Sequence, residues 1–168
     1  MKIMNKFQKK LANRKKDNKG FSLVELIIVI AIMAILVGIV GTQVIPYISK
    51  SKVAKDQQVL NSISTAAVTA YSENGATGDI TITDVFTAEE SDTTEENIRQ
   101  AILTSSGYDT LDNFKKALGS DAGKAVATVK VVFDATNHKV TTSVTYGKDA
   151  EGNAVNPKYK IKDVEATL

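Results

Sequence analysis

Residues 19–41 read KGFSLVELIIVIAIMAILVGIVG, and from Leu26 to Gly41 sixteen consecutive residues lack a polar side chain. Between Phe21 and Val40 only Ser22 and Glu25 are polar. Twenty residues wound as a helix cover ~30 Å, the thickness of a bilayer's hydrocarbon core. The length and purity of this run predict a membrane-spanning helix.

Charge supports that reading. Residues 1–20 hold eight basic side chains, Lys2 to Lys19, against a single acid, Asp17. The other 148 residues carry 13 basic and 18 acidic groups, a net of −5. A basic end on an acidic body fits either a nucleic-acid arm or a topology signal. An apolar span directly after it favours topology, with the basic end in the cytoplasm and the rest outside. A cleaved secretory signal fits less well, because its apolar region covers about 7–15 residues before a small-residue cut site. Here TQVIPYISKSKVAKDQ (42–57) continues in a pattern compatible with helix. The chain has no cysteine, which excludes disulfides, thiolate metal sites and cysteine nucleophiles.

Glu25 needs an explanation. A carboxylate within a span is costly unless it lies near the interface or meets a partner. Four residues after Phe21, it lies ~6 Å along the helix, near the cytoplasmic edge. The span offers it no cation. A cut before Phe21 would create a new α-amino group at that depth on a neighbouring copy.

The stretch KGFSLVELIIVIAIMAIL (19–36) resembles the N-terminal processing motif of type IV pilins and the related pseudopilins. The resemblance covers about residues 19–45. It implies cleavage between Gly20 and Phe21 by a membrane prepilin peptidase, N-methylation of Phe21, and contact of Glu25 with a neighbouring subunit's amino terminus. Many members carry a proline where Thr42 stands here; the nearest in this chain is Pro46, one helical turn on, which places the helix break there. The resemblance also implies an α+β head, a long helix packed on a small antiparallel sheet.

The residues point the same way. Val53, Leu60, Ile63, Ala67 and Tyr71 recur on one helical face, with Lys50, Lys52, Lys55, Asp56 and Gln57 placed mostly off it. Asn74 and Gly75 offer a stop, so one long helix is expected from Phe21 to about Glu73. Further on, DITITDVF (79–86) alternates like a short strand, and AEESDTTEEN (88–97) reads as a solvated loop. Two short helices follow: one capped by Thr93 or Thr94 with Ile98 and Ile102 inward, one with Leu111, Phe114 and Leu118 inward and Gly119 ending it. Residues 125–134 and 139–147 flank ATNH as a hairpin, with Val140, Val144 and Tyr146 on one face. NPKYKIKDV (156–164) is expected to add an edge strand guarded by lysines. This gives an α+β fold with about 3–4 strands. The division is a basic leader (1–20), an apolar helix (21–45), an amphipathic continuation (46–74) and a globular head (75–168).

Chemistry is sparse. His138 falls in the hairpin turn and reads as an exposed polar residue. The glycines of LVGIVG lie within the apolar helix, so Ala34, Gly38 and Gly41 suit close helix packing and not phosphate binding. Asp149, Glu151 and Asn153 lack the distal bidentate glutamate of a calcium loop and read as a turn. Glu89–Glu90 and Glu95–Glu96 are adjacent in sequence and splay apart on a helix. No catalytic residue, metal site or cofactor is expected, and the acidic body makes a weak case for nucleic acid.

The expected role is a structural subunit of a type IV pilus-like filament, serving adhesion, motility or a related surface function. Its partners would be copies of itself or other pilins, the prepilin peptidase, the assembly machinery, and membrane lipid before assembly. It would cross the cytoplasmic membrane once and end in a surface pilus. The alternatives are a minor pilin or pseudopilin of a type II secretion or DNA-uptake system, and an unprocessed, membrane-anchored binding domain.

Overall fold

The computed structural model describes residues 20–88 and 93–168. The basic leader up to Lys19 and the acids Glu89, Glu90 and Asp92 therefore lie outside the described residues. Contacts divide the chain into two compact units that meet between Gln43 and Val44.

The N-terminal unit holds α1 (Leu23–Ile39), whose backbone hydrogen bonding passes into a π-helical turn, Val40–Val44. No residue of α1 is buried. Among the described residues this is where one helix is long and apolar enough to cross a membrane, judged by length and composition.

The second unit begins with α2 (Ile45–Glu73). Its stripe packs as the spacing requires: Leu60, Ile63 and Ala67 are fully buried and Tyr71 nearly so. Asn74 caps the helix, and Gly75 at φ 63° takes the left-handed conformation that ends it. Against α2 lie the sheet and α3 (Thr94–Ser106). Thr93 is the N-cap of α3, accepting from the Glu96 N–H at 3.3 Å, and Ile98 and Ile102 are buried.

The sheet has four antiparallel strands in chain order: β1 (Ile80–Ile82), β2 (Val126–Asp134), β3 (Lys139–Tyr146) and β4 (Val164–Thr167). Alternation places Val129, Val131 and Phe133 of β2, and Val140 and Thr142 of β3, in the core. Phe133 stacks on Tyr71 at 4.9 Å. The β2–β3 turn is closed by Asp134, whose carboxylate accepts from the Asn137 backbone and side-chain amides at 2.9 and 2.7 Å. Those bonds hold its pKa below the ordinary carboxylate value. His138 ends this turn at φ 51°.

The fourth strand corrects the sequence expectation. It forms at 164–167, and 156–163 is irregular. The backbone of that segment is bonded to side chains and not to a ladder. Lys162 donates its N–H to Gln57 Oε1 at 2.8 Å and accepts from Gln57 Nε2 at 2.7 Å, while Ile161 donates to the Tyr146 hydroxyl at 2.9 Å. The edge strand is marked by a Lys139–Glu165 ion pair at 2.6 Å rather than by a row of lysines.

Between α3 and β2 run α4 (Leu111–Ala117) and α5 (Asp121–Lys124). The sequence reading of α4 holds, with Thr110 as N-cap and Phe114 buried, but the helix already turns extended at Leu118. The single turn α5 is too short for periodicity to reveal. Both are tied to α2 by Asp56, which is 1 % exposed. Its carboxylate accepts from the backbone N–H of Gly119 at 2.8 Å and of Ser120 at 3.0 Å, and from the Ser120 hydroxyl. Gly123 packs so close that an added Cβ would lie 2.5 Å from Leu118 Cβ and 2.6 Å from Asp56 Oδ2.

Candidate functional site

The residues singled out by the sequence cluster at the start of α1. Ser22, at φ −64° and ψ 142°, is the N-cap, and its hydroxyl accepts from the Val24 N–H at 3.4 Å. Glu25 reaches back and accepts the Ser22 N–H at 2.8 Å. Together they form a capping box, in which side chains satisfy amides that have no partner within the helix. The carboxylate also lies in the first turn, where the helix dipole favours negative charge. Glu25 thus has a partner within its own chain, a backbone amide in place of the cation the span lacks.

The box moves the helix start. Phe21, expected as the first helical residue, precedes the cap and is 89 % exposed. The Gly20–Phe21 bond consequently lies in non-helical, exposed chain. A Cβ built on Gly20 meets no atom within 4 Å. Among the described residues, none requires glycine at this position.

After the box, α1 is apolar on every side. Its large hydrophobic side chains are between 47 % and 74 % exposed. Seventeen residues rise ~26 Å, close to the hydrocarbon thickness of a bilayer. A helix with no polar face must be surrounded by lipid or by other apolar surfaces. Ala34, Gly38 and Gly41 are exposed, with open space at both glycines.

Pro46 is not a break. The helical run continues through it, and the irregularity is the five-residue π turn just before it. Proline lacks the N–H that would bond the carbonyl four residues back, and its ring crowds that carbonyl. A widened turn over 40–44 relieves both constraints. Thr42, in that turn, donates its hydroxyl to the Gly38 carbonyl at 3.1 Å.

Two of the acids weighed elsewhere bond within the fold. Glu96 is 9 % exposed and accepts from Arg99 Nε at 2.6 Å, and Arg99 also donates to the Val85 carbonyl at 3.1 Å. Asp149 closes its loop by accepting from the Glu151 and Asn153 amides at 3.1 and 2.7 Å, with Gly152 at φ 85°. Among the described residues, no three His, Asp or Glu side chains are grouped to hold a metal ion. Asp56 was missed as a buried group, although its spacing gave a signal. It stands three residues after Val53 and four before Leu60, on the apolar stripe itself.

Residues 15–41 match the prokaryotic N-terminal methylation motif. That motif is the signature of type IV pilins and pseudopilins, and with the apolar helix it fits a membrane-anchored protein. Comparison with curated proteins and with solved structures gives no match.

Proposed function

We propose that this chain is a structural subunit of a type IV pilus-like filament, cut between Gly20 and Phe21 by a prepilin peptidase and N-methylated at Phe21. The observation that carries the reading is the methylation motif set on a helix that is apolar on all sides and begins one residue after Ser22. Before assembly the helix crosses the cytoplasmic membrane with its basic leader inside. In the filament, neighbouring helices replace lipid. Small residues such as Ala34, Gly38 and Gly41 allow close approach there.

Cleavage gives Glu25 a second partner, the Phe21 amine of an adjacent copy. A buried ion pair is weak support for stability, and its best-attested use is to set register. Glu25 accordingly fixes the axial stagger of subunits more than it holds them together. The role is structural and not enzymatic, with other pilins and the assembly machinery as partners.

The motif is shared with pseudopilins, which makes a low-copy component of a secretion or DNA-uptake machine the second reading. Copy number on the cell separates the two. Mass spectrometry of the N-terminal peptide from membrane and sheared-surface fractions of native cells tests the main reading. A peptide beginning at N-methylated Phe21 in the sheared fraction is expected. An intact Met1 leader confined to membranes would leave an anchored binding domain instead.

A further inference from the structure

A groove of the second unit has a charge opposite to that of the body. It is lined by Lys50, Lys158, Lys160 and Lys162 around Tyr159, with Val53, Asn156 and Pro157 and no carboxylate. Its volume is about 620 Å³. Lys50 Nζ and Lys158 Nζ converge on the Tyr159 ring, each 5.6 Å from its centroid. All four lysines are exposed, and none forms an ion pair with a described residue. Lysines gathered along a groove without a carboxylate repel one another, and a bound anion would offset that repulsion.

The irregular path of 156–163 is what builds this groove. A strand would have sent alternate lysines outward along an edge. Here the reciprocal Gln57–Lys162 bonds hold the segment against α2, beside Lys50. The start of α2 supplies the second observation. Ile45, Tyr47 and Ile48 are 58 %, 75 % and 49 % exposed, and Lys50 and Lys52 follow directly. Apolar residues, then an aromatic, then lysines is the order in which a helix leaves hydrocarbon for the headgroup layer.

We propose that this groove binds the phosphate of anionic lipid headgroups on the outer face of the membrane, docking the head there until the subunit is extracted. The inference rests on the membrane-anchored reading above. An anionic surface attracts basic clusters close to a span and loses its hold within about a Debye length. On a body of net charge −5, the groove is the face that such a surface would select.

The test uses the full chain reconstituted into vesicles of phosphatidylcholine alone or mixed with phosphatidylglycerol. A pulse of reductive methylation, with formaldehyde forming the lysine imine and dimethylamine-borane supplying the hydride that reduces it (both reagents uncharged and permeant), is read lysine by lysine by mass spectrometry. Lys50, Lys158, Lys160 and Lys162 should react roughly three-fold or more slowly when phosphatidylglycerol is present, and high salt should remove the difference. Lys130 and Lys148 should not change. The double variant K158Q/K160Q should lose most of the protection at Lys50.

Equal labelling in both vesicles would overturn the proposal. So would protection by soluble glycerol phosphate in phosphatidylcholine alone, which would make this a free-phosphate site. Protection that tracks protein density and not lipid would make it an interface between copies. Failure of the chain to float with either vesicle would instead overturn the membrane anchor itself.

Discussion

The Ser22 backbone N–H donates to the Glu25 carboxylate at 2.8 Å, so the one acid in the apolar segment closes its own helix end. Glu25 therefore has two separable properties, a hydrogen-bond acceptor for Ser22 and, in the filament proposed above, a negative charge for a neighbour. Glu25→Gln keeps an acceptor and removes the charge; Glu25→Ala removes both. Only the alanine should weaken the helix start, by about 1 kcal/mol. Both should reduce the yield of sheared filaments to a similar degree. Normal yield from the glutamine variant would assign the residue to capping alone.

A Cβ added at Gly20 would meet no atom of the described residues within 4 Å. Gly20→Val should leave folding and membrane insertion unchanged while the leader-bearing precursor accumulates. Intact-mass measurement of the membrane fraction checks this. Normal processing would show that the peptidase does not read this position.

Asp56 binds three donors from residues 63 and 64 positions away in sequence. Asp56→Ala strands the buried Ser120 amide and hydroxyl and frees the Gly119 amide, and should cost about 3 kcal/mol. Urea unfolding of the detergent-solubilised full chain measures it. A loss under about 1 kcal/mol would mean that these amides find other partners.

Tyr146 links β3 to the irregular 156–163 segment through its bond from Ile161. Burial raises the phenol's pKa above its ordinary 10.0, and the nearby Asp163 charge adds to that. A raised folded pKa means the stabilising contribution is complete below pH 10 and is lost as pH climbs through the folded value. Thermal melts of the full chain should therefore fall more steeply above pH 10 than those of Tyr146→Phe. The phenylalanine variant should be about 1 kcal/mol less stable at neutral pH. Parallel alkaline slopes would show that the phenol does not contribute.

Thr142 is fully buried on the core face of β3, and its hydroxyl finds no partner among the described residues. Thr142→Val keeps the volume and the β-branch and removes the stranded hydroxyl. It should stabilise the head by about 1 kcal/mol, seen as a raised melting temperature. A destabilised variant would indicate that the hydroxyl is satisfied.

Much of this was legible locally. The stripe from Val53 to Tyr71 needs only the period of a helix to be found. The β2–β3 hairpin needs only alternation and the turn ATNH. The serine and glutamate three residues apart at 22 and 25 carry the capping-box spacing, which was readable although the apolar run drew the reading toward charge. Pro46 announced an irregularity, but not that a widened turn would absorb it ahead of the proline.

The sequence by itself determined the apolar span, its processing motif, the amphipathic continuation and the central hairpin, because each is a short-range pattern of polarity or turn chemistry. Tertiary structure alone decided that Asp56 is buried, that 156–163 leaves the sheet, and that lysines 50 and 158 meet on one ring. Those outcomes depend on donors, acceptors and charges supplied from as far as 108 residues away. No local pattern encodes such a partner; it exists only once the chain has folded and an amide must find an acceptor or remain unpaired.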